Sequence, residues 1–235
     1  PEMKSLGLVT DAVWTDIDED KDLDLIVVGE WMPLRIFKNV EGRLSMIMHN
    51  SNGLENSHGW WLSIAARDFD GDGDMDLVAG NLGLNYKYKA SVEEPFEVYY
   101  GEFGQNEKKE MVLAYYQGGK QYPVDDRIDL FVAIPELARI FTSNNDFSRA
   151  SVKEMFTEEI LQQTINLKAR TFASTYIENM GDGRFQLHPF DNLAQISNQN
   201  DILIEDVDQD GHDDLIMAGN LYGSEVETIR NDAGI

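Results

Sequence analysis

The chain has 235 residues, 42% of them hydrophobic and 26% charged, which is enough to bury a sizeable core. Nineteen Lys and Arg against forty-three Asp and Glu leave a net charge of −24, and such a surface repels nucleic acid and anionic membranes, since both are held through an excess of Lys and Arg. Cysteine is absent, so disulfides and thiolate metal centres are excluded, and no apolar run approaches the ~20 residues of a membrane helix.

In chain order, an apolar strand first leads into Asp16-Ile-Asp18-Glu-Asp20-Lys21-Asp22-Leu-Asp24, followed by the strand Leu25-Ile-Val-Val28-Gly29 and then Glu30-Trp31. A hairpin is predicted over Leu34–Leu44, turning at Asn39-Val-Glu-Gly42-Arg43. The acidic pattern returns as Asp68-Phe-Asp70-Gly-Asp72-Gly73-Asp74-Met-Asp76, running into Leu77-Val-Ala79-Gly80-Asn81-Leu82. A weaker copy, Glu102-Phe-Gly104-Gln-Asn106-Glu107-Lys108-Lys-Glu110, keeps the following strand Met111-Val112-Leu113 and loses most of the acid. Residues 124–168 read as helical. Ile128, Phe131 and Ile134 have helical spacing, Pro135 suits a first helical turn, and Ser151-Val-Lys-Glu154 forms a capping box. A second hairpin, Tyr176–Phe185, repeats the Asn179…Gly183-Arg184-apolar turn chemistry. The last acidic copy is Asp206-Val-Asp208-Gln-Asp210-Gly211-His212-Asp-Asp214, leading into Leu215-Ile-Met-Ala218-Gly219-Asn220-Leu221.

Residues 16–24, 68–76 and 206–214 each contain five Asp, and so many like charges in so short a stretch repel one another unless a cation sits among them. Calcium takes six to eight oxygen ligands at about 2.3–2.6 Å. Carboxylates at alternate positions 1, 3 and 5 of a loop can curl around one such ion, with Gly at position 6 permitting the turn and the position-7 carbonyl adding a ligand. An EF-hand would need Glu at position 12, where this chain has Val27, Ala79 and Met217 inside apolar strands. The plainer reading, in which each Asp merely caps a turn, suits a single loop better than three repeated ones.

The pattern D-x-D-x-D-G-x-x-D-L running into a buried strand resembles the FG-GAP/VCBS repeat of integrin α-subunit propellers and of many secreted bacterial proteins. The likeness covers residues 8–113 and 170–232. It implies two to three calcium ions held by Asp16, Asp18, Asp20 and Asp24, by Asp68, Asp70, Asp72 and Asp76, and by Asp206, Asp208, Asp210 and Asp214. The carbonyls of Asp22, Asp74 and His212 complete the sets. Lys21 stands where the repeat has Gly, which weakens site one, and the 102–110 copy is expected to be metal-free.

The resulting expectation is an all-β fold of β-propeller blades, part of a larger propeller, with one helical insertion. Blades occupy 1–123, the insertion 124–168 and a further blade 169–235. An extracellular, cell-surface or periplasmic binding or adhesion module of bacterial type follows, recognising a glycan or protein ligand, with calcium structural and with neither nucleic-acid binding nor membrane insertion. The alternative is a calcium-dependent polysaccharide lyase or other enzyme built on a propeller, for which no motif selects a base among Lys87, Lys89, Lys120 and Arg127. No H-E-x-x-H or G-x-S-x-G motif occurs, and His49, His58, His188 and His212 sit in unrelated contexts. Each acidic loop feeds a strand of about five residues, so what emerges ~17 Å from the metal at Trp31, Asn81 and Asn220 is either a ligand face or, for the repeated Gly-Asn-Leu, turn chemistry in which Asn satisfies backbone groups. Trp60, Trp61, Tyr86 and Tyr88 either stack on a sugar there or fill the space between blades.

Overall fold

Short runs rich in Val, Ile and aromatic residues, punctuated by Gly, Asn and Asp, form strands joined by tight turns. The computed structural model describes residues 2–47, 52–105, 107–221 and 231–234; His49 and Asn106 lie outside these. The chain is mostly antiparallel β-sheet with a few short helices, in two compact units: Pro1–Lys87 with Thr171–Ile235, and Tyr88–Arg170.

In the first unit β1 (Leu8–Thr15), β2 (Asp24–Met32), β3 (Arg35–Val40) and β4 (Arg43–Met46) form an antiparallel meander, with the short β5 (Gly59–Trp60) added at the far end of β2. The expected hairpin is β3–β4. Its two-residue turn places both Glu41 (φ 53°) and Gly42 (φ 79°) in the left-handed region, the geometry whose twist matches that of paired strands. A second sheet begins with β6 (Ser63–Arg67) and β7 (Asp76–Gly80) and then breaks off.

The chain next builds the other unit: β8 (Phe96–Glu102), β9 (Lys109–Gln117), β10 (Lys120–Pro123), α1 (Arg127–Ala133), α2 (Leu137–Ile140), α3 (Asn144–Arg149), α4 (Val152–Met155), α5 (Glu158–Gln163) and β11 (Ile165–Ala169). Only then do β12 (Thr175–Asn179) and β13 (Phe185–Pro189) complete the second sheet, in the order β6-β7-β12-β13. This is the meander of the first sheet again, and the Asn179 hairpin occupies the same place as the Asn39 hairpin. A third sheet has the order β14 (Asp201–Glu205), β15 (Asp214–Leu221), β16 (Asn231–Gly234).

The sheets of the first unit share their cores. Ile26, Val28 and Ile36 from the first sheet meet Ile64, Leu77, Ala79, Ile177 and Phe185 from the second around the wholly buried Trp61. Val78 and Tyr176, on the opposite face of the second sheet, meet Ile202, Leu215 and Met217 of the third. β2 and β7 are therefore covered on both faces and read as unbroken apolar runs, not as alternating ones. No closed propeller forms among the described residues.

In the second unit the sheet order is β10-β9-β8-β11, and Leu130, Ile134, Leu137, Val152, Met155 and Phe156 from the helical stretch join Tyr99, Phe103, Val112 and Ala114 in one core. The capping box is present: the Ser151 backbone N–H and hydroxyl each donate to Glu154 Oε2 at 2.7 Å, and the backbone bond holds that carboxyl below its usual range. Three details differ from the expectation. Ile128 is 70% exposed and Leu130 takes the inward position; Pro135 lies between α1 and α2; and Ile165–Ala169 pairs with β8 as a strand. The boundary expected at residue 124 is drawn at Tyr88, because β8 and β9 share this core with the helices.

Candidate metal centre

The three acidic loops are one structure built three times. Each connects a pair of antiparallel strands, and in each the residue before the first Asp pairs with the ninth-position Asp: Thr15↔Asp24, Arg67↔Asp76 and Glu205↔Asp214. Eight residues must therefore loop out between two paired ones. They do so by entering the left-handed region twice, at positions 4 and 6: Glu19 and Lys21 (φ 60° and 74°), Gly71 and Gly73 (77° and 106°), Gln209 and Gly211 (62° and 91°). Lys21 thus adopts the conformation its Gly counterparts adopt freely.

Side chains fix the loop from inside. The first Asp accepts from the position-6 N–H, with Asp16 Oδ2 2.9 Å from Lys21 N, Asp68 Oδ2 3.2 Å from Gly73 N and Asp206 Oδ2 3.0 Å from Gly211 N. The ninth Asp accepts from the position-2 N–H, at 3.2 Å from Ile17, 3.2 Å from Phe69 and 3.0 Å from Val207. The fifth accepts from the seventh residue's N–H in every copy, and this bond holds the Asp20 carboxyl below its ordinary range.

Carboxylate oxygens converge as a result. One oxygen each from Asp16, Asp18 and Asp24 lie within 4.8 Å of one another, as do those of Asp68, Asp70 and Asp76, and those of Asp206, Asp208 and Asp210. Oxygens sharing a hard cation at about 2.3–2.6 Å sit at most about twice that distance apart, so these spacings fit one ion per loop. Asp24 and Asp76 are wholly buried, and burial pushes the Asp24 carboxyl up; Asp214 is exposed. Of the position-7 residues, Asp22 and His212 are exposed, whereas the Asp74 side chain is 95% buried and its Oδ1 has no hydrogen-bond partner. Burial, followed by the Asp72 charge, pushes Asp74 up to about 6. A buried carboxylate oxygen without a donor is costly, and it is relieved by a proton or a cation.

Neighbouring strands brace the loops, and these braces were not identified from sequence. Asn39 N donates to Asp24 Oδ1 at 2.7 Å and Asn179 N to Asp76 Oδ1 at 2.8 Å. Each Asn amide also reaches the position-8 carbonyl, Asn39 Nδ2 to Leu23 O at 3.1 Å and Asn179 Nδ2 to Met75 O at 3.3 Å. Asn179 Nδ2 further donates to Ile17 O of the first loop at 2.9 Å, tying the two loops together. Tyr176 donates its hydroxyl to Asp76 Oδ2 at 2.8 Å. The signal was in the sequence as the repeated Asn…Gly-Arg turn, which reads as hairpin chemistry alone. Arg67 forks onto Asp213, with Nε 2.5 Å from Oδ2 and Nη2 2.9 Å from Oδ1, linking β6 to the third loop through a residue outside its converging set.

The expected ligand face is corrected in part. Trp31 is only 6% exposed and lies 4.8 Å from the Trp60 ring, in a β2 residue at φ 61° where the pairing with β5 shifts register. Asn81 is wholly buried, its amide directed at Thr171 O and Ala173 O and its Oδ1 accepting from Leu82 N. Both are interior groups because a neighbouring segment covers the far ends of these strands. Asn220 is exposed, and its carbonyl accepts from Asn198 Nδ2 at 3.2 Å. Trp61 is wholly buried with Nε1 on Ser57 O at 2.8 Å, and Tyr86 meets Phe172 edge-on. The four lyase candidates divide between the units, Lys87 in the first and Lys89, Lys120 and Arg127 in the second, where Arg127 lies over the Phe131 ring and bonds Asn144.

Residues 16–79, from the first Asp of loop one to near the end of β7, match the family model described as an FG-GAP-like repeat. A search of curated proteins finds no match.

Proposed function

We propose that this FG-GAP repeat protein is a calcium-stabilised binding or adhesion module working outside the cytoplasm, at the cell surface or in the periplasm, where it recognises a glycan or protein ligand. The observation that carries the reading is the triple recurrence of one loop geometry in which carboxylate oxygens converge to within 4.8 Å. Every converging donor is a carboxylate oxygen, and hard oxygen sets suit calcium better than softer metals. Asp16, Asp18, Asp20 and Asp24, Asp68, Asp70, Asp72 and Asp76, and Asp206, Asp208, Asp210 and Asp214 would hold the ions, with the position-7 carbonyls of Asp22, Asp74 and His212. Bound calcium would supply the positive charge that these carboxylates otherwise lack.

We read the four-stranded meanders of the first unit as propeller blades, with each acidic loop joining the first two strands of a sheet. Two shared cores between successive sheets support that reading, since blades stack by burying both faces of their inner strands. Loop sites of this kind suit affinities of about 0.1–1 mM, those of extracellular modules, which supports a setting where calcium is plentiful.

Calorimetric calcium titration, together with thermal unfolding in chelator and in calcium, tests the proposal. At free calcium of about 100 times a site's dissociation constant, linkage adds about 2.7 kcal/mol for that site. Asp70→Ala and Asp208→Ala should each remove one bound ion. An unfolding midpoint that calcium does not move would overturn it.

A further inference from the structure

Loop one carries a cation of its own. Lys38 extends from β3 so that its Nζ donates to Asp18 Oδ2 and stands 3.3 Å from Asp20 Oδ2. Those are positions 3 and 5 of the loop, two of the carboxylates that a metal ion would require. The Lys38 and Asp18 side chains are each about two-thirds covered, so the pair is neither free in solvent nor sealed in the core. The neighbouring residue, Asn39, is fixed by its bonds to Asp24 Oδ1 and Leu23 O. The lysine stem therefore starts from a braced point on the rim of the loop.

Loop two reverses the charge at the equivalent position. Asn179 braces Asp76 as Asn39 braces Asp24, so the counterpart of Lys38 is Glu178. Its carboxylate faces away to His188, with Oε2 2.8 Å from Nε2. Two loops with the same strand register, the same two left-handed positions and the same bracing Asn thus differ in whether a basic side chain from the third strand enters the carboxylate set.

We infer that Lys38 is a resident counter-ion of loop one, which keeps that loop assembled without metal and makes it take calcium after loop two. The inference rests on the calcium reading of the loops. A divalent ion entering loop one must first break two charge-assisted contacts and expel the ammonium, whereas loop two presents no lysine at that position. Breaking such contacts is worth about tenfold or more in affinity.

The experiment measures calcium binding to the full chain by calorimetry, with native mass spectrometry counting ions. It compares the wild type, Lys38→Met, Lys38→Gln and a loop-one deletion variant, Asp16→Ala. The wild type should fill loop two before loop one, so Asp16→Ala leaves the tighter loop-two site unchanged. Lys38→Met, which keeps the aliphatic stem and removes the charge, should gain a site at least about tenfold tighter than loop one of the wild type, and Asp16→Ala in that background should abolish the gain. Without calcium, Lys38→Met and Lys38→Gln should both melt below the wild type, and calcium should restore them. If the wild type binds no calcium at all, the underlying reading fails. If it binds calcium but loop-one affinity is the same with and without the lysine charge, the calcium reading stands and the counter-ion inference fails. Variants that do not fold even in saturating calcium also overturn it, because calcium should replace the ammonium.

Discussion

Lys21 holds a left-handed conformation, φ 74°, where both other loops have Gly. That conformation costs an L-residue about 1–2 kcal/mol, while introducing Gly costs roughly 0.4–1 kcal/mol through the freer unfolded chain. The strain outweighs the entropy, so Lys21→Gly should raise stability by up to about 1.6 kcal/mol, measured by urea unfolding. A loss would mean that the lysine side chain makes a compensating contact. The two bracing asparagines should differ in the same assay. Asn179 is buried and its amide serves both Ile17 O and Met75 O, whereas the half-buried Asn39 amide serves Leu23 O. Removing an amide that satisfies buried carbonyls costs about 1–3 kcal/mol, and a more exposed one about 0.5–1.5 kcal/mol. Asn179→Ala should therefore be the more damaging change, and equal effects would count against its role in joining the loops.

At the scale of strands and helices, glycine marks close approach as well as turning. A Cβ on Gly80 would lie 2.3 Å from Ser63 Oγ and 2.4 Å from Gln199 O, and one on Gly219 would lie 1.9 Å from Asn198 O. Gly80→Ala should cost at least about 1–3 kcal/mol by overpacking against a backbone carbonyl that cannot rotate away, visible as a lowered denaturant midpoint. In the second unit Asp126 caps α1 by accepting from Ile128 N and Asp129 N. Asp126→Ala should cost about 1 kcal/mol, read from the protection of α1 amides in hydrogen exchange, while Asp126→Asn should retain most of it. These elements also mark the limit of what was legible beforehand. The acidic loops, the hairpins at Asn39 and Asn179 and the Ser151 capping box could be read because each rests on residues within ten positions of one another. The partner of β7 could not, because Tyr176 reaches Asp76 across 100 positions and an apolar strand does not state which sheet it joins. The burial of Trp31 and Asn81 was hidden for the same reason, since both are covered by segments distant in sequence, β5 and the stretch before β12.

For the molecule as a whole, −24 of net charge is a standing cost of compactness that any counter-ion reduces. Stability without calcium should therefore rise with sodium chloride, because the Debye length shortens from about 30 Å at 0.01 M to about 10 Å at 0.1 M. Melting across that range should show the rise, with a smaller increase when calcium is present. A flat response would mean that the clustered carboxylates are already neutralised within the fold.

The interruption of the second sheet also imposes an order on synthesis. When β7 leaves the ribosome only β6 is there to pair with it, and its second partner β12 does not yet exist, because Tyr176 is 100 residues behind Asp76. At 5–20 residues per second, that edge waits roughly 5–20 s for β12. During the wait the backbone donors and acceptors on that side of β7 are open to any passing strand, which is the exposure that invites misassembly between nascent chains. The Tyr88–Arg170 segment, complete in sequence before Thr175 is made, has that same interval in which to collapse around its own core. The last step for the second sheet is then the docking of one hairpin, β12–β13, onto a waiting edge. Nascent chains stalled just before Thr175 should accordingly be cut by protease near β6–β7, and chains stalled well beyond Pro189 should resist.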